Sequence, residues 1–131
     1  MEPILQFEGY QIEKIVYEKN VENKEENDIK VEVSTGLSQD KDKGKVQVTV
    51  KTFEKEEKRK LELSVAGFFM FSNINDDEKS KVLAINGTAI LYPYVRAIAS
   101  VVTSQDTNPA IILPTVNTLN FLKNEVINLD E

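Results

Sequence analysis

"ILYPYVRAIASVVT" runs from Ile90 to Thr103 and carries one charge, Arg96, in a chain where 29% of residues are charged. Ile90, Tyr94, Ile98 and Val102 recur at every fourth position, and Leu91, Val95 and Val101 widen the stripe, which is the period of an amphipathic helix. The other side is small instead of charged: Ala97, Ala99, Ser100, Thr103 and Ser104. Pro93 belongs in a first turn or at a kink. A helix with an apolar stripe and an uncharged back is expected to be buried on more than one side. A small domain has one sheet to offer, so the second cover is expected from another copy of the chain. Ile90, Tyr94, Ile98, Val101 and Val102 are the candidate interface residues.

The residues before this stretch read as strands. Tyr10, Ile12, Ile15 and Tyr17 sit in a first strand whose alternation slips near Lys14, as at a bulge. Ile29, Val31 and Val33 alternate with polar residues, as do Val46, Val48 and Val50, and then Leu61, Leu63 and Val65. A period of two puts one apolar face inward and a charged face in water. The connectors "SQDKDKG" and "EKEEKRK" are short enough for hairpins, which predicts antiparallel pairing of the second, third and fourth strands. The fourth strand then turns apolar on both faces, with Val65, Gly67, Phe69 and Phe71 on one and Ala66, Phe68 and Met70 on the other. "NINDDEKSKVLAING" offers a short helix with Asn75 or Asp76 as cap and Gly87 as stop. "NPAIILPTVN" is extended because of Pro109 and Pro114, and its run Ile111, Ile112, Leu113 gives it two apolar sides. "TLNFLKNEVINL" reads as a last short helix, with Leu119, Leu122 and Val126 on one face. The expected fold is α+β: a four-stranded antiparallel sheet, a long helix and a short C-terminal helix, in one domain over residues 1–131.

Composition narrows the chemistry. The 131 residues include no histidine and no cysteine, so there is no Ser-His-Asp triad, no thiol nucleophile and no ordinary zinc site. No enzyme activity, metal or cofactor is expected. A net charge of −6 argues against nucleic acid as a partner. No stretch reaches about 20 consecutive apolar residues, so no membrane insertion is expected. The absence of cysteine and of a secretion signal fits the cytoplasm. Charge is unevenly spread: between Val82 and Leu122 only Arg96 and Asp106 are charged.

An antiparallel sheet followed by "ILYPYVRAIASVVT…NPAIILPTVN…LNFL" resembles the SecB family of bacterial export chaperones. The family's leucine–aromatic–Pro–Tyr–x–Arg motif is matched by Leu91, Tyr92, Pro93, Tyr94 and Arg96, and its downstream proline and Val-Asn by Pro109, Val116 and Asn117. The resemblance implies a homotetramer, a dimer of dimers with the long helices between two outer sheets. It implies an ATP-independent holdase that keeps unfolded or extended polypeptides, such as precursors for Sec export, in apolar grooves. It also implies docking of the SecA translocation motor on sheet acids, here Glu18 and Glu62. Lys14 stands where the family carries an acid, which leaves a chaperone dedicated to one client, such as an antitoxin, as the alternative.

Phe68, Met70, Ile112, Phe121 and Leu122 are the candidate groove residues, since aromatic and methionine side chains offer adaptable area. Phe68 and Met70 read equally as packing under a helix. Tyr92 and Tyr94 read as fixing the helix start, and Arg96 as a salt bridge or helix–carbonyl contact. A rival from another class is a cup for a small apolar ligand, built on Phe68–Phe71.

Overall fold

The computed structural model describes residues 4–22 and 27–117, together with the backbone of 126–128. Four strands form first: β1 (Leu5–Glu18), β2 (Asp28–Leu37), β3 (Lys43–Glu54) and β4 (Arg59–Phe71). All neighbouring strands are antiparallel, in the order β1-β4-β3-β2-β5, where β5 is Val126–Asn128. The two expected hairpins are present. In the β2–β3 turn, Ser38 and Lys43 exchange hydrogen bonds, and Asp40 accepts from the Ser38 hydroxyl and the Asp42 amide.

The alternating valines and leucines do what their period requires. Val31, Val33, Val46, Val48, Val50, Leu61, Leu63 and Val65 are buried on one face of the sheet. That face is covered by a helical run. It begins as α1 (Asp76–Val82), widens into a π-type turn over Leu83–Gly87, and continues as α2 (Thr88–Thr103). Asn75 stands at the N-cap without a side-chain cap bond, and Asp76, Asp77 and Glu78 fill the first turn, where the helix dipole favours acids. Buried Lys79 donates to the Lys41 carbonyl and lies over the Phe71 ring, which ties α1 to the β2–β3 turn.

Gly87 is therefore not a helix stop. A Cβ at this position would meet Val46 Cγ2 at 2.9 Å, so the glycine lets the helical run lie close on β3. Gly67 does the same from the sheet side, where a Cβ would meet Leu91 at 3.0 Å. The run Asp76–Thr103 is long and apolar enough, by length and composition, to cross a membrane, although no single stretch within it is continuously apolar. Its inward side chains pack on the sheet as those of a core helix do: Leu83, Leu91, Val95 and Ala99 are all buried. Pro93 lies inside α2, past its first turn.

The sequence leaves open which side of α2 meets the sheet. Leu91, Val95, Ala99 and Thr103 face the sheet, so part of the small back is the buried side, and Ile90, Tyr94, Ile98 and Val101 face away or sideways. Small residues suit the inward side because the helix runs close over the sheet. The C-terminal helix is also corrected at its end. Val126–Asn128 is a strand opposite Glu32–Lys30 of β2, as two β-branched residues in sequence allow. The rest of that expected helix, Phe121 and Leu122 included, lies outside the described residues.

Replacing Gly87 by leucine should overpack the helix–sheet contact and cost about 1–3 kcal/mol. Urea unfolding checks this through a lower midpoint at unchanged slope.

Candidate functional site

Two bulges shape β1. Its pairing with β4 shifts between Phe7 and Gly9 and again between Ile12 and Lys14. The second is the slip legible in the sequence. Together they keep Phe7, Tyr10, Ile12, Ile15 and Tyr17 opposite Phe69, Gly67, Val65, Leu63 and Leu61, so all five point to the side of α2. The helix does not reach far enough to cover the middle three. Ile12 is 47% exposed, and Tyr10 and Ile15 are exposed beside it. From the helix, Tyr94 and Val101 (60% exposed) join this surface, with Ile90 and Ile98 half-buried.

An aromatic chain connects this surface to the core. Phe7 packs on buried Phe69 at 5.3 Å between ring centroids and on Tyr94 at 5.5 Å, and Tyr94 packs on Tyr10 at 5.0 Å. Tyr17 donates to Asp106 just beyond the helix end. The helix thus runs alongside β1, and Ile98 and Val101 fall on the same flank as Ile12 and Ile15. Of the five interface candidates, Tyr94 and Val101 are exposed on this flank, and Ile90, Ile98 and Val102 are half-buried against the core.

The second feature is the extended connector after α2. Four side chains hold its backbone. Arg59 Nη2 donates to the Pro109 carbonyl at 2.7 Å, and Arg96 Nε donates to that of Leu113 at 3.0 Å. The Tyr92 hydroxyl donates to the Pro114 carbonyl at 2.6 Å. The Ile111 amide donates to Thr103 Oγ1, which itself donates to the Ala99 carbonyl, both at 2.7 Å. Pinned in this way, the connector buries Ile111 and Leu113 and turns Ile112 outward, 65% exposed. A surface hollow of about 330 Å³ lies at each end. One is lined by Ile29, Phe53, Glu54 and Ile112, among others. The other lies between Tyr92, Pro93 and Arg96 of the helix and Thr115–Asn117.

Arg59 anchors this region from the sheet. Its guanidinium is buried, takes both oxygens of Glu54, and donates to the Tyr17 hydroxyl. The Glu54 carboxylate, more than any other group, holds the Arg59 guanidinium above its already high range. Asp106 closes the far corner. Lys19, the Asn108 amide and Tyr17 together hold its carboxyl below the usual range. Burial pushes the Tyr92 phenol up to about 12. Tyr92 reads from the sequence as fixing the helix start and Arg96 as a salt bridge or helix–carbonyl contact; in the structure both hold connector carbonyls, those of Pro114 and Leu113. Sequence alone passes over Arg59 as part of a turn and Thr103 as part of a small back. A usable signal was present: Arg59 and Arg96 are the chain's only arginines among many lysines, and both grip connector carbonyls.

Of the groove candidates, the three described, Phe68, Met70 and Ile112, do not come together. Phe68 and Met70 lie on the face of β4 opposite Gly67 and Phe69, and so away from α2, whereas Ile112 sits on the connector over the helix side. The same alternation removes the Phe68–Phe71 cup, since Phe69 is packed in the core. Glu18 and Glu62 do lie on the sheet, but each has a lysine partner: Lys60 on Glu18 and Lys14 on Glu62, both at 3.1 Å. Among the described residues no group of acids could hold a metal ion.

An antiparallel sheet with one helix across it and apolar side chains uncovered at its flank defines a small α+β fold. The chain belongs to the SecB family, described as preprotein translocase subunit SecB, which it matches over residues 5–126. Among solved structures it is similar to the SecB-like chaperone Rv1957 of Mycobacterium tuberculosis, determined in complex with a ChAD peptide from the Rv1956 HigA1 antitoxin. That likeness has a TM-score of 0.69 at 14% identity and covers 86% of this chain and 90% of the other. A protein of unknown function from Streptococcus agalactiae shares the fold at a TM-score of 0.51 and 12% identity, over 85% of this chain and 97% of the other. In sequence, the chain is 38% identical over 64 residues to the uncharacterized protein MJ0357 of Methanocaldococcus jannaschii. The match covers 49% of this chain and spans 41% of that protein's length.

The Tyr92 latch has a pH signature. Its phenol is neutral and bonded in the folded chain, with a pKa of about 12 against an ordinary value near 10. Its contribution is complete below about pH 10 and is lost as pH rises through about 12. Urea midpoints between pH 9 and pH 12 should fall more steeply for the wild type than for Tyr92→Phe.

Proposed function

We propose that the chain is an ATP-independent holdase of the cytosol, which keeps unfolded polypeptides from aggregating and works as a homotetramer. The observation that carries this reading is the uncovered flank of Tyr10, Ile12, Ile15, Tyr94 and Val101 in a chain of the SecB family. Exposed apolar surface of this extent calls for a partner. Sister chains would cover the flank. The connector side, with outward Ile112 and the two hollows beside it, would take client side chains. Each buried client side chain contributes roughly 1.5–3 kcal/mol before ordering costs, so several weak contacts suffice without a precise shape.

A narrower client range is the second reading, and one observation favours it. Lys14 and Lys60 neutralise the two acids, Glu62 and Glu18, on which docking of a translocation motor would rest. The antitoxin peptide bound by the structurally similar M. tuberculosis chaperone is consistent with a dedicated role here.

An aggregation assay tests the first reading. A chemically unfolded test protein diluted into buffer without ATP should stay soluble when the chain is present at stoichiometric concentration. Unchanged light scattering from the aggregating protein would contradict it. Purified SecA separates the two readings: firm capture on the immobilised chain supports a role in export, and no capture supports the dedicated client. Lys14→Glu should strengthen capture in the first case.

A further inference from the structure

Burial along the helical run keeps a period that a plain α-helix cannot keep. Leu83, Gly87, Leu91, Val95, Ala99 and Thr103 are buried at every fourth position, from the π-type turn to the end of α2. An α-helix turns about 100° per residue, so each step of four overshoots by about 40° and the whole row drifts by about 200°. The turn over Leu83–Gly87 removes much of that drift. A π turn takes in one extra residue and so sets the helix back by about 100°. That residue decides which stripe of α2 meets the sheet.

The sequence holds a second stripe, one residue behind the first. Ile90, Tyr94, Ile98 and Val102 are aliphatic or aromatic throughout, where a surface helix carries charge. Were the extra residue absorbed, each side chain of α2 would move to the place of the residue after it. The second stripe would then meet the sheet, and Leu91 and Val95 would take the places of Tyr92 and Arg96 beside the connector. The observed register is the tighter one, because Leu91 fits over Gly67, and Ala99 and Thr103 are smaller than Ile98 and Val102. It also carries a cost. The Thr88 hydroxyl, directly after the π turn, is buried with no hydrogen-bond partner among the described residues. Thr103, in regular helix, donates to the carbonyl four residues back. The same bond from Thr88 would go to Ala84, inside the π turn, and a plain α turn would allow it.

We propose that the π turn at Leu83–Gly87 is a register switch: absorbing it turns α2 by about 100°, draws Tyr94 and Ile98 in from the flank beside β1, and releases the connector from Tyr92, Arg96 and Thr103. Those three hold the Pro114 and Leu113 carbonyls and the Ile111 amide. In the second register Leu91 and Val95 would make the hollow beside Val116, now lined by Tyr92 and Arg96, an apolar one. The apolar side chains of α2 thus serve sister chains in one register and a client in the other. The coupling runs both ways: a client that favours the second register weakens the subunit contact, and the subunit contact disfavours the client. This assignment rests on the holdase reading and adds to it how client and subunit contacts are linked.

The test uses the full chain and reduced, alkylated α-lactalbumin, which cannot fold. Its addition should speed hydrogen exchange at the Ile111 amide about tenfold or more, as the bond to Thr103 opens. Deletion of Asn86, an exposed residue of the π turn, makes a plain α turn and keeps the present stripe inward, so it locks the observed register. The locked chain should melt no lower than the wild type, and its Ile111 exchange should not respond to the unfolded protein. Thr88→Val keeps the shape and removes the orphan hydroxyl, so it should raise the melting temperature and slow Ile111 exchange without client. Ile111 exchange that does not quicken in the wild type, or quickens equally in the deletion, would overturn the switch. If the deletion does not fold, Thr88→Val decides, and an exchange rate equal to the wild type's would overturn it. In each case continued suppression of aggregation would leave the holdase reading standing. If the wild type neither suppresses aggregation nor responds at Ile111, both fall.

Discussion

Helix α2 presents apolar side chains on two sides, and a single sheet can cover one of them. Leu91, Val95, Ala99 and Thr103 take the sheet, and Tyr94 and Val101 are left in water. The strand beside the helix has the same surplus in Tyr10, Ile12 and Ile15. These side chains are continuous with the core, because Phe7 packs at once on buried Phe69 and on outward Tyr94. Surface of this kind is costly in water, at roughly 25 cal/mol per Å². The proposed holdase gives it two kinds of cover: sister subunits and unfolded clients.

The connector shows how a segment with two prolines and no regular structure of its own becomes a fixed wall. Its carbonyls are taken by Arg59, Arg96 and Tyr92, and its Ile111 amide by Thr103. Hydrogen bonds of this sort contribute about 0.5–1.5 kcal/mol each, and more where a guanidinium donates. Their larger consequence is orientation. With Ile111 and Leu113 held inward, Ile112 has to point out, and the hollows at both ends keep their walls. Arginine suits this work better than lysine, since its planar fork serves a carboxylate and a carbonyl together, as Arg59 does with Glu54 and Pro109.

Much of the fold was legible because its signals are local. Valines at every second position announced β2, β3 and β4, their polar connectors announced hairpins, and the slip at Lys14 announced a bulge. What escaped depends on distance between elements. Gly87 looked like a helix stop because its reason, Val46 across the interface, is far away in sequence. The inward side of α2 was not legible because bulk marks only one stripe, while closeness to the sheet favours Ala99 and Thr103. Phe68, Met70 and Ile112 looked like one set because hydrophobicity does not say which face of a strand is meant. Alternation puts Phe68 and Met70 behind the sheet, and Ile112 in front of it. Arg59 was hidden inside a charged turn, although its scarcity among lysines was visible.

Static light scattering on the full chain at micromolar concentration probes the surplus of apolar surface most directly. The account predicts a mass close to four times the chain's 14.8 kDa, falling toward smaller species when Val101 is replaced by aspartate. A homogeneous species of 14.8 kDa, with Tyr10, Ile12, Ile15, Tyr94 and Val101 open to solvent, would contradict it.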